Sequence, residues 1–418
     1  MSSGKQLKIG LFGFGVVGEG LYRVLHQTPS LKATIKKVCI KDPSKKRNAP
    51  AELFTTNKED ILFDPEINVV VEVINESQPA FEIIQTAMLQ GKAVVSASKK
   101  MIAEHLPEIL ELQQKTGLPF LCEASACASI PVIRNLEEYY DNDLLHAIKA
   151  IVNGSTNYIL TKMFEENIRF QDAVLQAQQL GFAEADPKLD VEGYDALFKW
   201  IILLNHAYGI VANPNEILFS GIQQIQLSDA LVAKEKQQEI KLVAQATKLR
   251  DGGIAAFVLP QFVKKEDHLA FVKNEYNGVV IESGFSDKQF FYGKGAGSFP
   301  TASAVLSDIA ALRYDYRYEY KKRYQHQPNV LSNDYYLKVY LSFEEWDHIP
   351  KENFEWIEEW HAHETRKYLI GVIHVSHLKD KTWWKEQNIS LILAPQPIIE
   401  EVELKKIQKK GLELAGVS

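Results

Sequence analysis

The apolar positions of this chain fall into short strand-length runs, and between the runs they recur at helical spacing. LKIGLF (residues 7–12), IKKVCI (35–40), NVVVEVI (68–74) and KAVVSA (92–97) are four such runs, and PAFEIIQTAMLQG (79–91) between the last two has the period of a helix. Buried strands that alternate with helices predict a parallel sheet covered on both faces. LPFLCEASACASIPVI (118–133) adds a strand and a loop of small residues ending at Pro131. The pattern then changes. AIKAIVNGSTNYIL (147–160) predicts a strand, an Asn153-Gly154 turn and a helix starting at Ser155 or Thr156, and WIILL (200–204) belongs to a long helix reaching Gly209. ALVAKEKQQEIKLVAQATK (230–248) reads as an amphipathic helix, whereas AAFVLPQFV, NGVVIESG and KQFFYG read as strands. RYDYRYEYKKRYQHQP (313–328) alternates tyrosine with charge and reads as the edge of a linker. From Tyr335 onward, YYLKVYLSF, YLIGVIHVSHL and ISLILAP are strands alternating with helices, an α+β pattern.

The first run leads into Gly13, Gly15 and Gly18, after which a helical pattern begins. This strand-turn-helix context makes the glycine spacing a dinucleotide fingerprint. Gly13 permits the tight turn, Gly15 admits a pyrophosphate to the backbone, and Gly18 allows close helix–strand packing. The second strand ends at Ile40, where such folds place an acid that reads the ribose; here the next residue is Lys41, followed by Lys45, Lys46 and Arg47. These cations suit a 2′-phosphate and predict NADP, while Asp42 keeps NAD in the reading; a solvated basic loop is the alternative. SASKK ends the strand of residues 92–97, and strand C-termini are where open parallel sheets bind ligands, so Lys99 or Lys100 is expected to face the cofactor. Glu123 lies in an apolar context and requires a hydrogen bond, a cation or a metal.

The densest chemistry is in GFAEADPKLDVEGYDALFK (181–199), which holds Glu184, Asp186, Asp190, Glu192 and Asp195 before a single lysine, Lys199, at the head of an apolar helix. Asp195 and Lys199 are four apart with the acid first, the favourable order on a helix face. Asp190 precedes that helix, where a carboxylate caps free N–H groups or points into a site. A lysine at the head of an apolar helix, facing several carboxylates, is not expected to be an idle solvent charge; an acidic loop with a surface ion pair is the alternative.

Composition narrows the partners. In 418 residues the hydrophobic content is 46%, the charged content 24% and the formal net charge −7. That is an ordinary globular composition without the basic field that a nucleic acid or an anionic membrane surface attracts, so a small-molecule partner is expected. Cys39, Cys122 and Cys127 show no paired spacing, which indicates neither a disulfide framework nor a zinc ribbon. No apolar signal core or membrane-length stretch is apparent, which predicts a cytoplasmic protein. His361, His363, His374 and His377 straddle separate elements without ligand-like pairing.

GFGVVG, VVEVI, SASKKMIAEH, EASACASIPVIR, NGSTNYILTKM, GFAEADPKLDVEGYDALFK and GKGAGSFPTASAVLSDI occur in the order found in homoserine dehydrogenases, and the chain resembles that family over roughly residues 8–310. The resemblance implies interconversion of L-aspartate 4-semialdehyde and L-homoserine with NAD(P)H, a step toward threonine and methionine. It implies Lys199 and Lys99 as catalytic lysines, with Glu184, Asp190, Asp195, Gly154 and Ser155 at the substrate. Gly13, Gly15, Val16, Val17, Gly18, Lys41, Lys99 and Gly295 would meet the cofactor, with Gly293 and Ala296 closing over it. Glu123 and the carbonyls of Ala126, Ala128 and Ile130 match the family's monovalent-cation site for sodium or potassium. The implied architecture is α/β: a Rossmann-type domain over residues 1–130 with the helix of residues 300–313 returning to it, an α+β substrate and dimerisation domain over 131–299, a linker over 314–334, and a degenerate ACT-like α+β domain over 335–418. A homodimer or higher homo-oligomer is expected. The chain departs from the family at Asn75 and Glu76 and at Ala128 and Ser129, where glycine pairs are common, and at Ser98 and Phe182, where Asn and Tyr are usual. A related nicotinamide-dependent dehydrogenase, or a cofactor-binding sensor without turnover, shares these features. The intact acid-and-lysine centre favours an active enzyme.

Overall fold

The computed structural model describes residues 6–142, 144–362, 367–379, 383–386 and 388–414. Its contacts divide the chain into two units. The first is drawn from the residues up to 143 together with 198–214 and 293–328, and the second from 144–197, 215–292 and the residues from 329 onward.

In the first unit, strands β1 (Leu7–Phe12), β2 (Ala33–Cys39), β3 (Phe54–Thr55), β4 (Val69–Glu72), β5 (Ala93–Ser96) and β6 (Phe120–Leu121) form a sheet in the order β3-β2-β1-β4-β5-β6. Every pairing in it is parallel. This is the doubly wound order of dinucleotide-binding folds, with its ligand crevice outside the carboxyl ends of the strands. All four residues of β4 and of β5 are buried, three apolar positions in each followed by one polar residue, Glu72 and Ser96. The helix Ser298–Leu312 packs in this unit against Val16–Gln27, and its Ser298 hydroxyl donates to the Val16 carbonyl at 2.8 Å.

The tyrosine-rich stretch after that helix does more than link. Tyr316, Tyr318 and Tyr320 bring their rings together, contacting one another edge-on at 6.0 and 5.8 Å. Tyr318 and Tyr320 are buried. The Tyr318 hydroxyl accepts the Cys122 N–H at 3.2 Å, and Tyr320 donates to Gln113 at 2.9 Å. Lys322 is buried as well, and its ammonium donates to the carbonyls of Leu136 and His206, the latter at 3.0 Å. Alternation of tyrosine and charge therefore marks a strap with one face inward.

The second unit holds a mixed ten-stranded sheet. Its strands are β7 (Leu145–Ile151), β8 (Leu218–Phe219), β9 (Gln238–Lys248), β10 (Ile254–Lys264), β11 (Tyr276–Ser283), β12 (Asp287–Lys294), β13 (Tyr336–Phe343), β14 (Phe354–Ala362), β15 (Lys367–His374) and β16 (Ser390–Ile399). The order is β12-β11-β7-β9-β10-β16-β13-β15-β14, with β8 beside β10. Residues 230–248 correct the sequence reading. Only Leu227–Glu235 is a helix, and the remainder is β9, paired with β10 along its whole length. Eight consecutive residues of β9 are buried, so both of its faces are covered and the helical spacing of its apolar residues decides nothing.

The C-terminal strands continue this sheet. β16 meets β10 in parallel at Gln261 and Leu393, and Gln261 donates to the Pro395 carbonyl at 3.0 Å. A buried carboxylate adds a second tie. Asp229 accepts the hydroxyls of Tyr340 at 3.1 Å, Ser342 at 2.5 Å and Ser390 at 2.7 Å. The order β16-β13-β15-β14 suits a β-α-β-β-α-β succession, but the connection from β13 to β14 contains only two short 3-10 turns. FEWIEEWHA is the strand β14 rather than a helix, and its inward and outward residues largely alternate. Of the four histidines in this region, His363 lies outside the described residues. His374 is hydrogen-bonded to Ser376 at 2.8 Å, and His361 stacks on Tyr368. No metal-binding cluster of His, Cys, Asp or Glu occurs among the described residues, and none of their helices is long and apolar enough to cross a membrane.

Candidate active site

The site residues form two sets, one in each unit. In the first unit the glycine turn follows β1. Gly13 has φ +97°, and a Cβ there would stand 2.8 Å from the Val73 carbonyl; a Cβ on Gly18 would strike the Gly13 carbonyl. Both glycines are therefore demanded by the fold. Gly15 is different: a Cβ there would meet nothing within 4 Å, although the residue caps the exposed N-terminus of the helix Val16–Gln27. Open space before a helix N-terminus, at the carboxyl edge of a parallel sheet, fits a dinucleotide diphosphate. Val16 is exposed at this end and Val17 is partly exposed.

Lys99 opens the helix Lys99–Glu104 just beyond β5 and is half-buried, whereas Lys100 is exposed and 3.8 Å from Glu104. Of the two lysines, Lys99 is the one that the fold turns inward. The residue before it, Ser98, is tied to a buried acid that the sequence reading passed over. Glu72 ends β4 and accepts the Ser96 hydroxyl at 2.6 Å, the Ser98 hydroxyl at 2.8 Å and the Ile74 N–H at 2.7 Å. Burial raises the Glu72 pKa, and these three donors oppose that shift. A charged residue inside VVVEVI was the visible signal. Its effect is to lock the end of β4 to the residue preceding Lys99.

Glu123 has the partners that its burial demands. Its carboxylate accepts the N–H groups of Ile133 at 2.9 Å and Arg134 at 2.8 Å, at the start of the helix Val132–Glu138. Its own N–H donates to Asp308 at 2.9 Å, and Arg134 pairs with Asp308 at 3.1 Å. Asp308 is fully buried, and burial followed by the neighbouring Glu123 charge pushes its pKa up to about 8. Ala126, Ala128 and Ile130 lie buried in the adjoining loop, with Ala128 at φ +43°, a left-handed conformation that favours glycine. Ser129 donates through both its N–H and its hydroxyl to the Lys294 carbonyl, which fastens this loop to the start of the segment carrying Gly293, Gly295 and Ala296.

In the second unit, Asn153 is the organising residue. It caps the helix Gly154–Glu166, its Oδ1 accepting the Thr156 N–H at 2.8 Å. Its Nδ2 donates to Asp190 at 2.7 Å and to Asp195 at 2.8 Å. Both amide hydrogens are thus used to hold two carboxylates side by side. The sequence marks Asn153 only as a turn residue, although an Asn preceding Gly-Ser-Thr is also a helix-cap signal. Asp195 lies in the first turn of the helix Tyr194–Tyr208, and Lys199 follows one turn later on the same helix, already among the residues of the first unit and 7% exposed. Gly154 is required by packing, since a Cβ there would be 2.5 Å from the Glu275 carbonyl. Ser155 donates to the Phe182 carbonyl at 2.6 Å, and Phe182 packs against Tyr158 with ring centroids 5.0 Å apart. Glu184 is exposed on a loop whose backbone accepts hydrogen bonds from Gln178 at Glu184 and Ala185.

Comparison with known proteins identifies the family. Residues 13–123 match the model of the homoserine dehydrogenase NAD-binding domain, and residues 131–310 match that of homoserine dehydrogenase. The chain is 37% identical to homoserine dehydrogenase of Bacillus subtilis over 75% of its own length and 74% of that protein's. For the enzyme of Synechocystis the identity is 38%, over 72% of each chain. The crystal structure of a homoserine dehydrogenase from Thiobacillus denitrificans superposes with a TM-score of 0.82 at 27% identity, over 93% of this chain and 98% of that one. A hyperthermophilic archaeal homoserine dehydrogenase in complex with NADPH gives a TM-score of 0.64 at 26% identity, over 75% of this chain and 99% of that one. The glycine turn, the lysines and the amide-held acid pair thus lie on a chain that belongs to the homoserine dehydrogenase family of NAD(P)-dependent oxidoreductases.

Proposed function

We propose that this chain interconverts L-aspartate 4-semialdehyde and L-homoserine with a nicotinamide cofactor, in the route to threonine and methionine. The observation that carries the proposal is Asn153 holding Asp190 and Asp195 together one helical turn before the buried Lys199. The bound nicotinamide supplies the hydride to the aldehyde carbon, or receives it in reverse. Lys199 meets the charge that develops on the carbonyl oxygen and delivers its proton, with Lys99 as the second catalytic lysine. Asp195 orients Lys199. Asp190 and Glu184 hold the substrate ammonium, and Gly154 and Ser155 border the substrate.

Gly13, Gly15, Val16, Val17 and Gly18 would hold the cofactor diphosphate, and Gly293, Gly295 and Ala296 would cover the cofactor. Lys41 and Lys45 favour NADP. Glu123 and the carbonyls of Ala126, Ala128 and Ile130 bind sodium or potassium, since an oxygen-only set suits a hard ion. The C-terminal strands form a degenerate ACT-like element without a working threonine site. The enzyme is cytoplasmic and forms a homodimer or higher homo-oligomer. Homoserine-dependent reduction of NADP+ by the purified protein tests the reading; absence of turnover with intact cofactor binding contradicts it.

A further inference from the structure

The loops on either side of the glycine turn carry an ion pair between two residues outside the motif. Phe12 of β1 is in register with Cys39 of β2 on one side and with Glu72 of β4 on the other, so the three strands end level. Lys41 follows β2 and Glu76 follows β4. The Lys41 Nζ stands 3.0 Å from Glu76 Oε1, so the pair joins the two loops that flank Gly13. Glu76 occupies the N-cap position of the helix Ser77–Leu89, where the helix dipole favours an anion. Its hydrogen bond from Lys41 lowers the Glu76 pKa further, so the carboxylate is ionised at neutral pH. Both side chains are largely exposed, at 89% and 52%, and are therefore accessible to a ligand.

The residue after the second strand reads the adenosine ribose: an acid there binds the 2′-hydroxyl of NAD, and a cation accommodates the 2′-phosphate of NADP. This chain places Lys41 there but brings a carboxylate to the same point from the neighbouring loop. An arriving 2′-phosphate meets a cation whose charge is already matched, with an anion about one hydrogen-bond length away. Arg47 does not restore the balance. Its guanidinium donates to the carbonyls of Lys45 and Asp42, each at 2.7 Å, and lies over the Phe54 ring, so it is held to its own loop. We propose that Glu76 is a specificity-determining residue that neutralises Lys41 and brings a carboxylate to the ribose end of the crevice, where Asp42 is taken up by Ser44 of its own loop, narrowing the preference for NADP over NAD. The inference rests on the reading of Lys41 as the 2′-phosphate group.

The test is calorimetric binding of NADP+, NAD+ and 2′,5′-ADP to the full chain, its Glu76→Gln and Lys41→Gln variants and the double variant. Glu76→Gln is expected to tighten NADP+ and 2′,5′-ADP by about two- to fivefold, the scale of an exposed charge pair, and to leave NAD+ unchanged or slightly weaker. Lys41→Gln is expected to lower the NADP+/NAD+ affinity ratio, and the double variant to return it near the wild-type value. The gain from Glu76→Gln should shrink as salt is raised. A ratio unaltered by Glu76→Gln but lowered by Lys41→Gln overturns the role of Glu76 alone. A ratio that neither substitution alters overturns the reading of Lys41, and this inference with it.

Discussion

Glu123 with Asp308 in the first unit, and Asp190 with Asp195 in the second, are two pairs of acids brought close by the fold, and they are held in opposite ways. The first pair is closed by the chain itself. Backbone N–H groups of Ile133 and Arg134 occupy Glu123, the Glu123 N–H and the Arg134 guanidinium occupy Asp308, and both acids are at most 2% exposed. In the second pair the Asn153 amide donates to both acids, and Asp190 remains partly exposed. An amide donor positions a carboxylate without adding a charge of its own. The difference lies in the donors: backbone N–H groups and a guanidinium hold the first pair, whereas one side-chain amide reaches both acids of the second. The same residue type is thus positioned by the local fold in one case and by a single distant side chain in the other.

The comparison can be broken most forcefully at the lysine beside the second pair. Lys199→Ala is expected to lower kcat by about 10²- to 10⁴-fold with little change in cofactor affinity, because its interaction strengthens in the transition state. Steady-state kinetics together with cofactor titration check this, and turnover within a few-fold of wild type would move the proton to Lys99. In the first pair, Asp308→Ala leaves the buried Glu123 N–H without its acceptor and takes one acceptor from the Arg134 guanidinium, which retains Ser307. A stability loss of about 2–4 kcal/mol in urea unfolding is expected, a cost of structure rather than of chemistry. In the second pair, Asn153→Ala removes the aim of both acids and a helix cap. It should reduce kcat/KM by about tenfold to a hundredfold, while stability falls by only about 1–2 kcal/mol.

The pH dependence sharpens the contrast. The folded chain retains the Asp308 proton up to about pH 8, whereas the unfolded chain releases it near pH 4. The folded state therefore binds more protons across that window, and this group makes stability fall as pH rises from about 4 to 8. Unfolding midpoints of wild type should drop through that range more steeply than those of Asp308→Asn. The smallest effect is expected at Ala128. Relief of its left-handed φ of +43° by Ala128→Gly, less the extra freedom of glycine in the unfolded chain, should raise stability by about 0.5–1 kcal/mol in the same assay.

Much of this was legible in the sequence, and the gaps have physical causes. β1, β4 and β5 announced themselves because parallel strands covered on both faces are near-continuous apolar runs, and the glycine spacing fixed the turn after β1. β9 was misread because a strand buried on both faces has no period of two to betray it. Lys199, Asp190 and Asp195 stood out by their density in one segment. Asn153, Glu72 and Asp308 did not, because their roles arise from partners 37, 26 and 185 residues away in sequence, a distance that no local pattern reports. The tyrosine-rich strap was hidden by its charges, which lie on the face that its buried rings leave to solvent.

The central claim is that Asp195 and Lys199, one turn apart on a single helix, act as one catalytic unit. The most direct measurement is kcat for homoserine oxidation by wild type, Lys199→Ala, Asp195→Asn and the double variant at saturating substrate and cofactor. The account predicts that Asp195→Asn costs less than Lys199→Ala, and that the double variant lies within a few-fold of Lys199→Ala alone, because residues acting together are not additive. Losses that multiply in the double variant would contradict it.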